Sequence, residues 1–140
     1  MKNKILATAA LLITISLATP MKAENPTSVK VLLNNNQCQR CDLRGAQLMD
    51  AELSGADLSN ANLRGANLYK ANLRGANLFE ANLTGAVLDE ANLQNAILTG
   101  ANLQNASLKY ARLQGAKLVG AHIESANFKK AIMPDGTSHP

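Results

Sequence analysis

From Cys41-Asp42-Leu43-Arg44-Gly45 onward the chain repeats itself every five residues, as in Ala61-Asn62-Leu63-Arg64-Gly65, Ala71-Asn72-Leu73-Arg74-Gly75 and Ala101-Asn102-Leu103-Gln104-Asn105. The register never slips. Counted in fives from Leu43 to Met133, 19 central positions follow one another, all leucine except Ile123, Phe128 and Met133. The residue two before each centre is Cys41 once and alanine in every later unit. A helix cannot use this spacing: at about 100° per residue, a step of five turns the side chain by roughly 140° and spreads the leucines around the whole cylinder. A plain strand fails as well, because an odd step puts successive leucines on opposite faces. The pattern works only if the chain turns within every unit. Ala and Leu, two apart, then share one face of a short extended segment, and the next two positions bend the chain so that the following pair faces inward again. The spacing therefore predicts an all-β solenoid.

Each position in the unit has chemistry to match. The two residues after the central Leu are rich in turn formers, as in Ser54-Gly55, Ser59-Asn60, Thr84-Gly85 and Thr99-Gly100. The last position runs Gly45, Asp50, Gly55, Asn60, Gly65, Lys70, Gly75, Glu80, and this alternation predicts two kinds of turn around the coil. The residue between Ala and Leu is polar almost throughout and is expected to point to solvent. Only 3% of the chain is aromatic and it has no Trp, so the interior has to be built from Ala and Leu.

These residues resemble the pentapeptide-repeat proteins, whose pattern is A(N/D)LXX with a central Leu or Phe, over Cys41 to Met133. The resemblance implies a right-handed quadrilateral β-helix with four units per coil and with the central residue and the preceding Ala inside. Residues 20 apart would then stack in columns, such as Leu43, Leu63, Leu83, Leu103 and Ile123, or Leu48, Leu68, Leu88, Leu108 and Phe128. A further column, Asp50, Lys70, Glu90, Tyr110, Lys130, places opposite charges next to each other on the surface.

The start of the chain reads differently. Lys2 and Lys4 precede an uncharged, mostly apolar run of 14 residues, Ile5 to Ala18, shorter than the roughly 20 residues that span a bilayer as a helix. Residues 1–23 are thus expected to be a secretory signal peptide, cleaved after Ala23 in preference to Ala18, with no stable membrane span left afterwards. Removing Lys2, Lys4 and Lys22 leaves 11 basic residues against ten acidic ones. A near-neutral mature chain gives no support for nucleic-acid binding, which needs basic side chains clustered on one face.

An open solenoid exposes backbone at its ends, so caps are needed. Residues 24–40 are read as an N-terminal cap segment in which Val29, Leu32 and Leu33 lie at helical spacing after the cap candidates Thr27 and Ser28, predicting a short capping helix. The repeat domain spans 41–133. Met133-Pro134-Asp135-Gly136 is a stop, and 134–140 is a C-terminal tail expected to be loose at Thr137 to Pro140. Uncovered coil edges at that end leave two states open, a monomer or an end-to-end dimer. Cys38 and Cys41 fall in the central and inward-Ala phases at the junction of cap and rod. A structural disulfide is the leading reading in an exported chain. Buried free thiols are the second, and redox or zinc chemistry, which lacks a βαβ context or further ligands, is the third.

No catalytic constellation appears. There is no nucleophile elbow, phosphate loop or HExxH motif, His122 beside Glu124 and His139 in the tail lack catalytic partners, and a leucine-filled interior leaves no room for a substrate. No cofactor is expected. Phe79, Ile97 and Val119 break the polar surface at outward phases on one side and form a candidate protein-docking patch, with Val87 on a neighbouring side. Arg44, Arg64 and Arg74 sit in turns where they would meet an anionic surface. The reading is a non-enzymatic exported repeat scaffold with an unidentified protein partner, in the periplasm or the thylakoid lumen. The CxxC-like start and the ending Ile132-Met133-Pro134-Asp135-Gly136 resemble exported cyanobacterial members. The alternative implied by the same family is a DNA mimic that binds type II topoisomerases, which requires a strongly acidic surface and access to the cytoplasm.

Overall fold

The computed structural model describes residues 25–140, so the expected signal peptide lies outside the described residues. From Gln37↔Asp57 to Arg112↔Ile132, a residue in every unit forms a parallel bridge with the residue 20 positions later. A 20-residue step holds four five-residue units, so the chain coils with four sides. Bridged positions run from 37 to 132, which is five coils. At about 4.8 Å per coil the repeat is only ~24 Å long.

No extended strand forms among the described residues; each side contributes an isolated bridge. The reason is the turn that follows. In the first repeat the Ala46 amide donates to the Leu43 carbonyl at 3.1 Å, and the residue between turn and alanine, Gly45, has φ 66°. A bond across four residues with positive φ at the third is the signature of a type II turn. The same bond and the same conformation recur along the coil, with φ between 53° and 71° at every fifth position from Arg40 to Lys130. The expected alternation of two turn types is therefore corrected. Lys70, Glu80, Glu90 and Tyr110 adopt the left-handed conformation that the glycines adopt, because the ladder above and below allows only one path around the corner.

The backbone donors of a unit can all be placed. Around Leu63, the Asn62 amide donates back to Cys41, while those of Leu63 and Gly65 donate forward to Asn82 and Thr84 at 2.8 and 2.9 Å. Ala66 closes the turn onto Leu63. The remaining amide, Arg64, donates to Oδ1 of Asn62 at 3.3 Å. Asn67, Asn77, Asn82, Asn92, Asn102 and Asn127 serve their own turns in the same way. The middle residue is thus polar because its side chain replaces water for an amide that the ladder cannot reach. It lies half-buried at most of these sites, not free in solvent as expected.

Inside, Ala46 through Ala111 and Leu43 through Leu113 line the core at 0–1% exposure, with no buried polar or charged side chain among the described residues. Helix α1, Pro26–Asn35, closes the N-terminal end with Val29, Leu32 and Leu33 buried. Its N-cap is Asn25, whose side chain accepts from Thr27 and Ser28, and Pro26 opens the first turn. Asn36 ends it in a left-handed conformation at φ 59°. Coil register begins at once, since Gln37 bridges Asp57 and the Cys38 amide donates to the Asp57 carbonyl at 2.8 Å. The unit centred on Cys38 is thus already part of the coil, one unit before the boundary drawn at Cys41.

The opposite end is closed only in part. After the turn at Pro134 and Asp135 the chain reverses, and Ile132 pairs antiparallel with Ser138. Met133 donates to Thr137, Lys130 to His139, and His139 back to Ala131. The tail expected to be loose is therefore a hairpin that supplies the next rung over one side of the coil. Phe128 is buried beneath it, its ring centroid 6.1 Å from that of His139. Ile123, expected inside, is 46% exposed, and Leu118 is half-buried, because among the described residues the hairpin covers only the neighbouring side and no further coil lies over these two.

Candidate functional site

With the interior filled by Ala and Leu, only the outer positions of each unit can meet another molecule. The bridge register fixes which of them share a side. Phe79 and Val119 stand in one turn column, two coils apart with Thr99 between them, roughly 10 Å along the axis. Ile97 belongs to the adjoining column of the same side, bridged to Asn77 below and Lys117 above. The structure thus puts the three predicted patch residues on one side. Phe79 is 40% and Val119 77% exposed, while Ile97 is half-buried. Val87, expected on a neighbouring side, lies instead on the opposite one, two units away in a four-unit coil, and is exposed.

The arginines do not form one basic surface. Arg44 and Arg64 occupy one corner and Arg74 the opposite corner. Arg44 is held by its own unit: Nε and Nη2 donate to the two Asp42 carboxylate oxygens at 2.8 and 2.7 Å, and the Arg44 hydrogen bond keeps the Asp42 carboxyl below its usual range. In the charged column Lys70 lies 3.6 Å from Glu90 and 5.0 Å from the centre of the Tyr69 ring, whose hydroxyl donates to Glu90 at 2.9 Å. Further along, Lys109 pairs with Asp89 at 3.9 Å. These exposed pairs contribute little to stability individually. His122 approaches Glu124 only to 4.0 Å, both well exposed.

Cys38 takes a central position and is buried, and Cys41 takes the first inward-Ala position. Their sulfurs are at disulfide-bond distance, 2.09 Å, with Cα atoms 5.2 Å apart, inside the usual range for such a pair. Among the described residues no group of three or more His, Cys, Asp or Glu is arranged to hold a metal ion, and no helix is long and apolar enough to cross a membrane.

Sequence reasoning expected uncovered coil edges at the C-terminal end but missed that two central residues there, Leu118 and Ile123, are themselves half-buried and exposed, respectively. Nothing local distinguishes Ile123 from Leu103, the buried centre one coil before it.

A family model for pentapeptide repeats matches the chain in 8 copies, within the segments 31–65, 41–78, 76–110, 86–124 and 106–135. Among solved structures, the chain is similar to a pentapeptide repeat protein of the Arabidopsis thaliana thylakoid lumen, with TM-score 0.63 and 35% identity over 69% of this chain and 64% of that one. It is also similar to QnrB1, a plasmid-mediated fluoroquinolone resistance protein, with TM-score 0.65 and 21% identity over 69% of this chain and 50% of that one. The second likeness is one of fold. The chain spans between half and two thirds of the length of these two proteins. No curated sequence matches it.

Proposed function

Because the chain belongs to the pentapeptide-repeat family, we propose that it is a non-enzymatic exported scaffold, wound as a right-handed quadrilateral β-helix, that docks a protein partner through the side bearing Phe79, Ile97 and Val119. One observation carries this reading. The inward positions are closed by Ala and Leu, and most middle positions are spent on turn hydrogen bonds, so exposed apolar side chains on one side are free of any role in holding the coil. Export through a signal peptide at residues 1–23 supplies an oxidising compartment, periplasm or thylakoid lumen, in which Cys38 and Cys41 form a structural disulfide. The likeness to the Arabidopsis lumenal protein supports that location.

The DNA-mimic reading is the weaker one. A mimic of the double helix must present a continuous acidic face, and here Asp42, Asp89 and Glu90 are each neutralised by a basic neighbour. The test is crosslinking capture with the tagged chain in extracytoplasmic extract of the source cell, comparing wild type with the triple variant Phe79→Ser, Ile97→Ser, Val119→Ser. A reproducible partner lost in the variant is expected. Capture of nothing, or the same capture by both, overturns this docking side.

A further inference from the structure

Charge is spread unevenly along the rod. Residues 25–100 carry six basic side chains against seven acidic ones, whereas residues 101–140 carry five against two. The bridge register gathers four of those five at one corner. Lys109 and Lys129 occupy one turn column and Tyr110 and Lys130 the next, on the side centred on Leu108 and Phe128, and Arg112 is the first middle residue past that corner. Coils lie about 4.8 Å apart, so these cations crowd one another, and like charges set as neighbours across a ladder are destabilising. Lys109 is paired with Asp89, but Arg112, Lys129 and Lys130 are exposed and have no ion-pair partner among the described residues. Glu124 and Asp135, the acids of these coils, stand at the two neighbouring corners. Apolar surface lies beside the cations: Tyr110 is 53% exposed among them, and Val87, one coil below on the same side, 38%.

We propose that this corner is a peripheral membrane-binding surface, which settles the chain on a bilayer of anionic phospholipids. A convex corner of exposed cations offers no concavity to a small anion, so its partner is itself an extended anionic surface. The apolar side chains among the cations select lipid over other polyanions: a bilayer meets the charges at its headgroups and takes Tyr110 and Val87 into the headgroup boundary. Each basic side chain near such a surface adds a similar increment of attraction. The choice of lipid over nucleic acid also agrees with the export proposed above. Orientation follows from the four-unit coil. The side centred on Leu108 is two units from the side centred on Leu98 and therefore opposite it, so Phe79, Ile97 and Val119 face away from the bilayer and stay open to a protein. Asp50, at the far end of the same corner and without an ion-pair partner among the described residues, tilts the N-terminal coils off the surface.

The inference goes beyond the docking side, and its test needs no protein partner. The purified chain is sedimented with vesicles of phosphatidylcholine alone or with about 30% phosphatidylglycerol, at low and at high salt, with duplex DNA in parallel. Binding is expected to the anionic vesicles only and to disappear at high salt. Each cation removed is expected to weaken it about fivefold, so Arg112→Gln/Lys129→Gln/Lys130→Gln loses about a hundredfold. Lys30→Gln/Arg40→Gln/Lys117→Gln takes the same net charge from the cap and the opposite side and is expected to stay within about threefold of wild type, because those cations lie beyond the screening length from the bilayer. All six positions are half-buried or exposed turn, helix-surface or middle positions outside the core, and equal urea midpoints verify that both variants fold. An apolar leader retained on the chain binds both kinds of vesicle alike and is carried equally by every variant. The chain has no Trp, so Tyr110→Trp supplies a reporter whose emission is expected to shift to the blue on anionic vesicles, while that of Phe79→Trp does not. Equal binding to neutral vesicles, equal losses in the two triple variants, a shift at position 79 and not at 110, or tighter retention on DNA than on vesicles at the same salt overturns the proposal.

Discussion

Two alanine substitutions at glycines of the same conformation separate what the turn costs from what the stacking of coils costs. Gly65 and Gly115 both close units, at φ +66° and +71°. An L-residue there costs about 1–2 kcal/mol, offset by about 0.5–1 kcal/mol because alanine restricts the unfolded chain more than glycine does. Gly65→Ala adds a methyl that meets nothing within 4 Å, so its loss is the conformational remainder, about 1 kcal/mol. Gly115→Ala pays the same and also drives its methyl into Oδ1 of Asn95, with the Asn95 Cγ at 3.4 Å. Asn95 is one coil below and is itself left-handed at φ 58°. Its side chain has to swing away, which adds about 1 kcal/mol. Urea titration of wild type, both single variants, Asn95→Gly and the double variant Asn95→Gly/Gly115→Ala measures each quantity, provided the slopes agree. The expected coupling between positions 95 and 115 is about 1 kcal/mol. A neutral Gly65→Ala would refute the conformational cost, and equal losses at the two glycines with no coupling would refute the packing argument.

Two other outcomes follow from the core and the surface. Leu73 is fully buried in mid-coil with only apolar neighbours available to it, so Leu73→Lys is expected to lose more than about 4 kcal/mol or to leave no folded state; a wild-type urea midpoint would show that the central positions do not face inward. Burial pushes the Asp57 carboxyl up, but hydrogen bonds from Ser59, Gln39 and Asn77 outweigh it and hold the group below its usual range. A lowered folded-state value means that the stabilisation is present above the ordinary carboxylate range and disappears as pH falls through the folded value. Stability is therefore expected to fall less between about pH 5 and pH 2 for Asp57→Asn than for wild type, and parallel curves from thermal melts would contradict this.

The middle of the chain was legible because it repeats. A period of five admits one solution for Ala and Leu, and those positions are buried from Leu43 to Leu113. Helix α1 was legible too, through the spacing of Val29, Leu32 and Leu33, although its cap proved to be Asn25. The turns misled because alternation of Gly with Lys or Glu looks like two backbones. The conformation at Lys70 and Glu80 is set by bonds to Asp89 and Thr99 one coil away, and local propensity gave way to that ladder. At the C-terminus the sequence carries no period, and Ser138 and His139 are ordered only by the rung they complete. That Phe79, Ile97 and Val119 share one side was legible once residues 20 apart were aligned, and uncovered edges were expected at the C-terminal end, yet the exposure of Ile123 was not, since it holds the same phase as the buried Leu103.

The four-unit coil also governs how such a chain can change length. Adding or removing 20 residues lengthens or shortens the rod and returns every downstream side chain to the side it held before. A single unit does something else: because one coil holds four units, one extra unit leaves the Ala and Leu lining intact but carries everything beyond it a quarter-turn around the axis. Inserted between Phe79 and Ile97, five residues would keep the core and move Ile97 and Val119 onto a neighbouring side. Surface pattern and core are thus inherited on different counts, one in twenties and one in fives, and a duplication too small to disturb folding is enough to rewrite which residues a partner meets.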